Sequence, residues 1–388
     1  MRIDDSERRR RLVWRHHLGR SAADPLEAVE GVAAFHSSDP VTPYLGMWAR
    51  ISDFEREQLD EALYEARVLW RMHAMRRTLF VVPSCRWPVF EAGASRDIAR
   101  QERRRLEQWL AAEMPADTIP TWLEETSARV MEVVEKGEFR TQELSGEVPE
   151  LNRQIMMGSG KWRQKAPVSS RLLFLLAMEG SIVRTHPTGS WRSSGYRWTA
   201  ASSWWDRAPS PMNEEEGRTA LARRYLESHG PVTLVDLRWW TGWTAAKAKA
   251  ALSRLEVVKV TLDSGDEGYV LADDAEFADE PAPTTAFLPG LDPTPMGWKE
   301  RDWYLGPHGQ ALFDANGNVG PTVWVDGRIV GGWGQRPGGE VVFELLDEPR
   351  AEAVDRIEEE AGELATWLDG EVVSIRFKTP LERKLARS

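Results

Sequence analysis

The pattern of apolar and polar positions predicts one order of elements three times along the chain: two or three helices, then a turn-linked pair of strands. The copy at 213–273 is the most regular. Thr233 and Asp236 form a partial capping box for one helix. Thr244 opens the next, whose apolar face is Ala248, Ala251, Leu252 and Leu255. Strands are expected at 257–262 and 268–271, so the order is that of a winged helix.

The copy at 125–212 has Thr141 as a candidate cap for a helix over 142–147. An apolar helix at 171–179 ends at Gly180 and is followed by strands at 181–184 and 190–198. These strands interleave two kinds of side chain, namely Arg184, Arg192 and Arg197 with Trp191, Tyr196 and Trp198. Such a pattern suits phosphate contact and base stacking, with Trp191 and Trp198 as candidate stacking residues. A strand with buried aromatics and solvated arginines fits it equally well.

The first copy has apolar segments at 26–35 and 43–50, a capping box formed by Ser52 and Glu55, and a strand pair within 68–82. The chain is therefore expected to be α+β, with three tandem winged helix-turn-helix units and a C-terminal mixed, β-rich or barrel-like domain. The expected segments are 1–90, a helical connector at 91–124 with an arginine-rich helix at 94–112, 125–212, 213–275 and 284–388.

The C-terminal domain is expected to follow an acidic, proline-rich linker at 274–283. Strands are predicted at 322–325 and 328–330 on either side of Asp326-Gly327, a strong hairpin signal. Further strands are expected at 341–345 and 372–377, with a helix over about 350–368 between them.

Charge is unevenly distributed in this chain of 388 residues, which has a net charge of −11. Nine arginines and three acidic residues lie between Arg71 and Arg105, and nine Lys or Arg against four Glu lie between Arg140 and Arg197. This asymmetry fits a nucleic-acid-facing surface or an unevenly charged solvated surface. A single cysteine, Cys85, excludes an intrachain disulfide and cysteine-based zinc sites. Without a secretory signal or an apolar span, a cytoplasmic, nucleoid-associated protein is expected.

Four segments resemble the AlkZ/YcaQ-type DNA glycosylases, and they occur in the family's order. They are AAFHSSDPVTPYLGMWARI (33–51), RMHAMRRTLFVVP (71–83), FLPGLDPTPMGW (287–298) and PTVWVDGRIVGGW (321–333). The resemblance implies tandem winged helices around a DNA channel and excision of alkylated bases. Where the family carries Gln-x-Gln or Gln-x-Asp, this chain has His36-Ser37-Ser38 before Asp39-Pro40, and Phe80 replaces a family histidine.

The altered motif retains plausible chemistry for base excision. An alkylated purine is already a good leaving group, so the site must mainly hold a water and stabilise a cationic sugar. Histidine can hold that water and accept its proton. His36, Ser38 and Asp39 are therefore the candidate catalytic residues. In the structural alternative, Asp39 caps a helix with Pro40 at its first position, and His36 and the serines belong to the turn.

Three functions remain open at this point: a monofunctional glycosylase, a DNA-binding regulator or damage sensor without catalysis, and a protein–protein module. The basic middle region favours DNA, and the acidic third wing favours a protein partner for that half. A monomer acting on double-stranded DNA is expected, with no cofactor, metal or membrane partner. The expected DNA contacts are Arg76, Arg77, Arg184, Trp191, Arg192 and Arg197.

Overall fold

The computed structural model describes residues 1–158, 160, 163–205, 210–373 and 378–387. It is mixed α and β, as predicted. Its contacts divide the chain into two compact units. The first contains Met1–Leu69, Val81–Ser84 and Thr219–Ser388, and the second contains Trp70–Phe80 and Cys85–Arg218. The five-segment division expected from the sequence stays a prediction. Among the described helices, none combines the length and apolar character needed to cross a bilayer.

The N-terminal part of the first unit is largely helical. Its helices are Asp5–Arg15, Pro25–Gly31, Val41–Trp48 and Arg56–Asp60, the last continuing as a π-helical turn over Glu61–Glu65. The predicted Ser52–Glu55 capping box is wrong. Glu55 is the helix cap, and its backbone N–H donates to Gln58 Oε1 at 2.7 Å. Ser52 instead donates to the Arg20 carbonyl. The short strand Phe35–His36 also belongs to this part, while the strands Leu69–His73 and Leu79–Pro83 lie where the chain passes from one unit to the other.

The third helix-and-strand copy follows the sequence pattern closely. It contains the helices Glu214–His229, Leu234–Thr241 and Ala245–Leu252 and the strands Val232–Thr233, Val257–Leu262 and Glu267–Leu271. Both expected caps are confirmed, because Thr233 Oγ1 accepts from the Asp236 N–H at 3.1 Å and Thr244 Oγ1 accepts from the Lys247 N–H at 3.3 Å. The N-terminal strand Arg2–Ile3 adds to this sheet in parallel.

The C-terminal part is an antiparallel sheet with helices. Its strands, in spatial order, are Thr285–Leu288, Thr322–Val325, Arg328–Gln335 and Val341–Leu345. Its helices are Asp302–Leu305, Gly309–Leu312, Ala351–Leu368 and Pro380–Leu385. The predicted turn at Asp326-Gly327 is confirmed, with φ of 47° and 76°. Of the strand expected at 372–377, residues 372 and 373 are not in a strand, and 374–377 lie outside the described residues.

The expected linker at 274–283 is held against the N-terminal helix. Arg11 donates to the carbonyls of Asp274 and Glu276 at 3.0 and 2.5 Å. Arg15 pairs with the Asp274 carboxylate at 2.5 Å, and Trp14 Nε1 donates to the Asp279 carbonyl at 2.9 Å. The arginine-rich N-terminus is therefore used largely to fasten the chain to itself.

The second unit contains a large apolar core. Its helices are Trp87–Phe90, Arg96–Leu110, Ile119–Val134, Thr141–Glu147, Ser169–Met178 and Ala201–Trp204, with a π-helical turn at Glu91–Ser95. The strands Phe139–Arg140, Tyr196–Ala200 and Ile182–Pro187 form a sheet in that order. Gly180 ends its helix with φ of 73°, as expected. A separate hairpin, Gln154–Met157 with Gln164–Pro167, does not follow from the sequence pattern.

Candidate catalytic turn and nucleic-acid interface

The three candidate catalytic residues lie in one short turn of the first unit. His36 ends the strand Phe35–His36, and residues 37–40 lead into the helix Val41–Trp48. His36 is half-buried, Ser38 is exposed and Asp39 is buried. The turn thus combines a half-buried imidazole and an exposed serine with a buried aspartate.

Asp39 has a structural role that the sequence pattern anticipated in part. Its Oδ1 accepts from the Val41 N–H at 3.2 Å, at the start of the helix. The helix itself begins at Val41, with Pro40 as the capping residue. Asp39 therefore satisfies a backbone donor of the first turn from one position further back than an N-cap residue.

Phe35 fixes the strand that carries His36. A Cβ atom on Gly46 would lie 2.2 Å from Phe35 Cε1, so only glycine allows the helix to approach this ring so closely. On the ring, the Arg50 guanidinium lies 4.9 Å from the centroid. Close packing of this kind leaves the neighbouring His36 backbone little freedom.

Two of the four family-like segments, 33–51 and 287–298, meet in the core. Thr42 Oγ1 donates to the Gly290 carbonyl at 2.8 Å, and Arg50 donates to Asp292 and to Thr294 Oγ1. His16 Nδ1 lies 2.9 Å from the same Thr294 hydroxyl. A buried polar network thus joins segment 33–51 to segment 287–298.

In the second unit, Arg76 and Arg77 occupy a tight turn between two strands. Their φ angles are 54° and 67°, and the Thr78 N–H donates to the Met75 carbonyl at 3.0 Å. This is a type I′ geometry, which normally favours Asn-Gly. Holding L-residues with side chains in it costs roughly 1–2 kcal/mol each. Arg77 is exposed and contacts Glu102 at 3.3 Å.

The other expected DNA contacts lie in or beside the strands Ile182–Pro187 and Tyr196–Ala200. They are Arg184, Trp191, Arg192 and Arg197. Arg192 is exposed, whereas Trp191 and Arg197 are half-buried. Arg184 packs its guanidinium 5.0 Å from the Trp198 ring centroid. Burial, with a smaller effect from the nearby Arg71, lowers the pKa of Arg184 to about 10. Arg184 therefore lies along the sheet, while Arg192 extends towards solvent.

Trp198 does not fit the expected stacking role. It is 6% exposed, belongs to the apolar core of the second unit and donates its indole N–H to Thr141 Oγ1 at 3.0 Å. No face of the ring is left for a base. The interpretation of Trp198 as a nucleic-acid contact is wrong, because alternation along a strand does not reveal which aromatics face the core.

His73 is a buried histidine that the sequence pattern does not single out. It is 7% exposed, and its ring packs edge-on against Phe174 at 4.5 Å. Burial, reinforced by Arg184, lowers the pKa of His73 to about 3, although the Arg77 backbone acts weakly in the opposite direction. The ring is therefore neutral at physiological pH.

Much of the positive charge between Arg71 and Arg105 is neutralised inside the second unit. Arg103 pairs with Glu179 at 2.6 Å and Arg105 with Glu102 at 2.5 Å. Arg100 pairs with Asp97 and Glu214, and its hydrogen bond lowers the pKa of Glu214 to about 2. The arginine-rich helix is thus a weaker candidate for DNA contact than its composition suggests. In the part of the chain that the structure describes, no three or more His, Cys, Asp or Glu side chains are grouped so that they could bind a metal ion.

Comparison with known proteins identifies relatives over most of the chain. The family model "DNA glycosylase AlkZ-like" matches residues 29–367. An interstrand DNA cross-link repair glycosylase of Streptomyces sahachiroi is 28% identical over 171 residues, which cover 42% of this chain and 44% of that protein. The match thus spans less than half of this curated relative. The solved structure of Streptomyces sahachiroi DNA glycosylase AlkZ matches with a TM-score of 0.72 at 18% identity, covering 97% of this chain and 100% of that one.

Proposed function

The chain belongs to the AlkZ-like DNA glycosylase family, and on that premise we propose that it is a monofunctional enzyme that hydrolyses the N-glycosidic bond of alkylated or adducted bases. The curated relative is named for the repair of interstrand cross-links. Cross-linked bases are therefore included among the proposed substrates. The product would be an abasic site in an otherwise intact strand.

The half-buried His36 at the end of its rigid strand is the observation that carries this proposal. An N7- or N3-alkylated purine leaves without strong protonation, so positioning a water is the main task. His36 would hold that water and accept its proton as it attacks the anomeric carbon. The exposed Ser38 hydroxyl would orient the same water. Asp39 would add negative charge near the cationic sugar while it holds the start of the helix.

DNA would be held by cations and aromatics of the second unit. The proposed contacts are Arg76, Arg77, Arg184, Trp191, Arg192 and Arg197. Their chemistry suits the phosphate backbone and unstacked bases. The protein would act as a monomer on double-stranded DNA in the nucleoid. It would need no cofactor, because water is the nucleophile and the damaged base of the substrate is the leaving group.

The decisive experiment is incubation of the full chain with duplexes that carry N7-methylguanine or an interstrand cross-link. We expect base release and alkali-labile abasic sites, with no strand cleavage before alkali. The unmodified duplex is the control. DNA binding without base release from either substrate would support a non-catalytic sensor and overturn the proposal. Cleavage before alkali would contradict the monofunctional mechanism.

A further inference from the structure

The hairpin formed by Gln154–Met157 and Gln164–Pro167, here the basic hairpin, lies in a segment free of acidic residues. Between Glu150 and Glu179 the sequence contains no Asp or Glu, in a protein with a net charge of −11. The same segment contains five cationic residues, Arg153, Lys161, Arg163, Lys165 and Arg171. A local excess of positive charge without internal compensation is the electrostatic mark of a surface for an anionic partner.

The fold anchors one face of this hairpin and leaves the other to solvent. Ile155 is fully buried, and it pairs across the strands with Ala166, which packs on the same core. Lys165 pairs with Met156 on the opposite face and is exposed. Arg163 directly precedes the strand Gln164–Pro167 and is also exposed. Both cations therefore face solvent beside a strand that is anchored in the core through Ala166.

The described cations at the basic hairpin are Arg153, Arg163 and Lys165. Among the residues that the structure describes, no carboxylate lies within ion-pair distance of Arg153, Arg163 or Lys165. Their nearest acidic neighbours in sequence are used elsewhere: Glu150 pairs with Arg129 at 2.7 Å, and Glu179 pairs with Arg103. This differs from the helix Arg96–Leu110, where the arginines are largely neutralised.

Two tryptophans hold arginines at the base of the hairpin. The Arg153 guanidinium lies 5.5 Å from the Trp122 ring centroid, and that of Arg171 lies 5.5 Å from the Trp109 centroid. Arg171 Nε also donates to Met157 Sδ at 3.0 Å. Stacking on an aromatic face orders a guanidinium but leaves its charge unneutralised.

The helix that follows the hairpin offers little polar surface. In the helix Ser169–Met178, all of which the structure describes, Ser170 is the one exposed residue. Five of its apolar residues lie in the core, namely Leu172, Leu173, Leu175, Leu176 and Met178. In a winged helix this helix would ordinarily read the major groove through polar side chains. Here the preceding hairpin carries the charge instead.

We infer that the basic hairpin is a DNA-contacting element that binds the phosphate backbone of double-stranded DNA through Arg153, Arg163 and Lys165. The inference rests on the proposed function for its ligand class but assigns a contact distinct from the wing that carries Arg192. Because the cations meet phosphates and no base edges, the contact is independent of sequence and of the lesion. It contributes to affinity and leaves the chemical step unchanged.

The test compares Arg163→Gln/Lys165→Gln with the matched control Arg104→Gln/Lys136→Gln, which removes the same charge from two exposed positions of the second unit outside the hairpin. A fluorescein-labelled undamaged duplex serves as the probe over a salt titration. A plot of log affinity against log salt concentration has a negative slope, and each lost phosphate contact makes that slope shallower by about 0.9. We expect a decrease of about two for the hairpin variant, about tenfold weaker binding at low salt, and little change for the control. Adding Arg153→Gln should lower the slope further.

Thermal unfolding of each variant establishes that the exposed substitutions leave the fold intact. Base release at saturating damaged DNA separates this inference from the proposed function. A reduced slope with an unchanged release rate supports the hairpin contact, and a reduced slope in a protein that releases no base supports it while the proposed function fails. A slope equal to that of the control overturns the hairpin contact, whether or not base is released.

Discussion

Arg50 and Asp292 form a bidentate ion pair in which both side chains are fully buried, with N–O distances of 2.9 and 2.8 Å. Arg50 lies near the end of the segment 33–51, which carries the candidate catalytic turn, and Asp292 lies in the C-terminal segment FLPGLDPTPMGW. Arg50 also packs on Phe35, directly before His36. The position of the turn is therefore coupled to a carboxylate that is remote in sequence.

Asp292→Asn is expected to lower the free energy of unfolding by about 3–5 kcal/mol, because it leaves the Arg50 charge buried without its counterion. Urea denaturation followed by circular dichroism measures the loss. The double variant Arg50→Met/Asp292→Leu should be less destabilised than the single variant, since it removes both charges. A loss below about 1 kcal/mol for Asp292→Asn would show that the pair is unimportant for stability.

His36→Ala is expected to reduce the rate of base release by roughly 100-fold or more, as for one positioned catalytic group, with little change in DNA affinity. His36→Gln should retain partial activity, because an amide can still hold a water. Single-turnover release from N7-methylguanine DNA gives the rates. If both variants instead melt at a lower temperature and keep their activity per folded molecule, His36 is structural.

Arg192→Ala/Arg197→Ala is expected to lower the salt slope of DNA binding by about two, because two phosphate contacts are lost. The matched control is Arg103→Ala/Arg105→Ala, which removes two arginines of the same unit that are paired with carboxylates. Fluorescence anisotropy with an undamaged duplex provides both slopes. Equal slopes for the two double variants would exclude this wing as a DNA contact.

Arg77→Gly should weaken DNA binding and yet stabilise the protein. Glycine adopts the left-handed conformation of residue 77 without the cost that arginine carries, so stability should rise by about 1 kcal/mol. The exposed pair with Glu102 contributes less than this. Arg77→Ala removes the same charge but keeps the strain, and it should bind DNA as weakly as Arg77→Gly while melting at a lower temperature. Wild-type affinity in both variants would contradict the proposed contact.

Stability should fall as the pH decreases below about 6.5, since burial lowers the pKa of His73 and of His229 to about 3. Between these values the unfolded chain binds protons that the folded chain cannot, so the free energy of unfolding rises with pH by up to about 1.4 kcal/mol per pH unit for each histidine. Glu360, whose pKa is raised to about 6 by burial, acts in the opposite direction between pH 4.5 and about 6.

His73→Phe tests this pH dependence directly. Phenylalanine preserves the aromatic contact with Phe174 and removes one titrating group. Urea unfolding at several pH values should give a slope lower by up to about 1.4 kcal/mol per pH unit between pH 4.5 and 6.5. An unchanged slope would mean that the His73 ring accepts a proton in the folded protein.

The sequence by itself determined the elements whose signals are local. The caps at Thr233 and Thr244 and the Asp326-Gly327 turn are confirmed because a capping hydrogen bond or a left-handed turn involves only residues three or four positions apart. The excess of basic over acidic residues in the middle region also follows directly from the sequence. The motif and the chemistry of histidine likewise predict a candidate catalytic turn at residues 36–39.

The tertiary structure decided which of these side chains are available. Trp198 and Arg192 belong to the same alternating pattern, yet Trp198 is in the core and Arg192 is exposed. Arg100 pairs with Glu214, more than a hundred positions away, whereas Lys165 is exposed and has no carboxylate within ion-pair distance among the described residues. Burial and ion pairing depend on which residues come close together in space, and local sequence patterns do not show this for residues that are far apart in the chain. For that reason the sequence indicated where charge is concentrated, and only the fold separated the arginines that form ion pairs within the protein from those that are exposed to solvent.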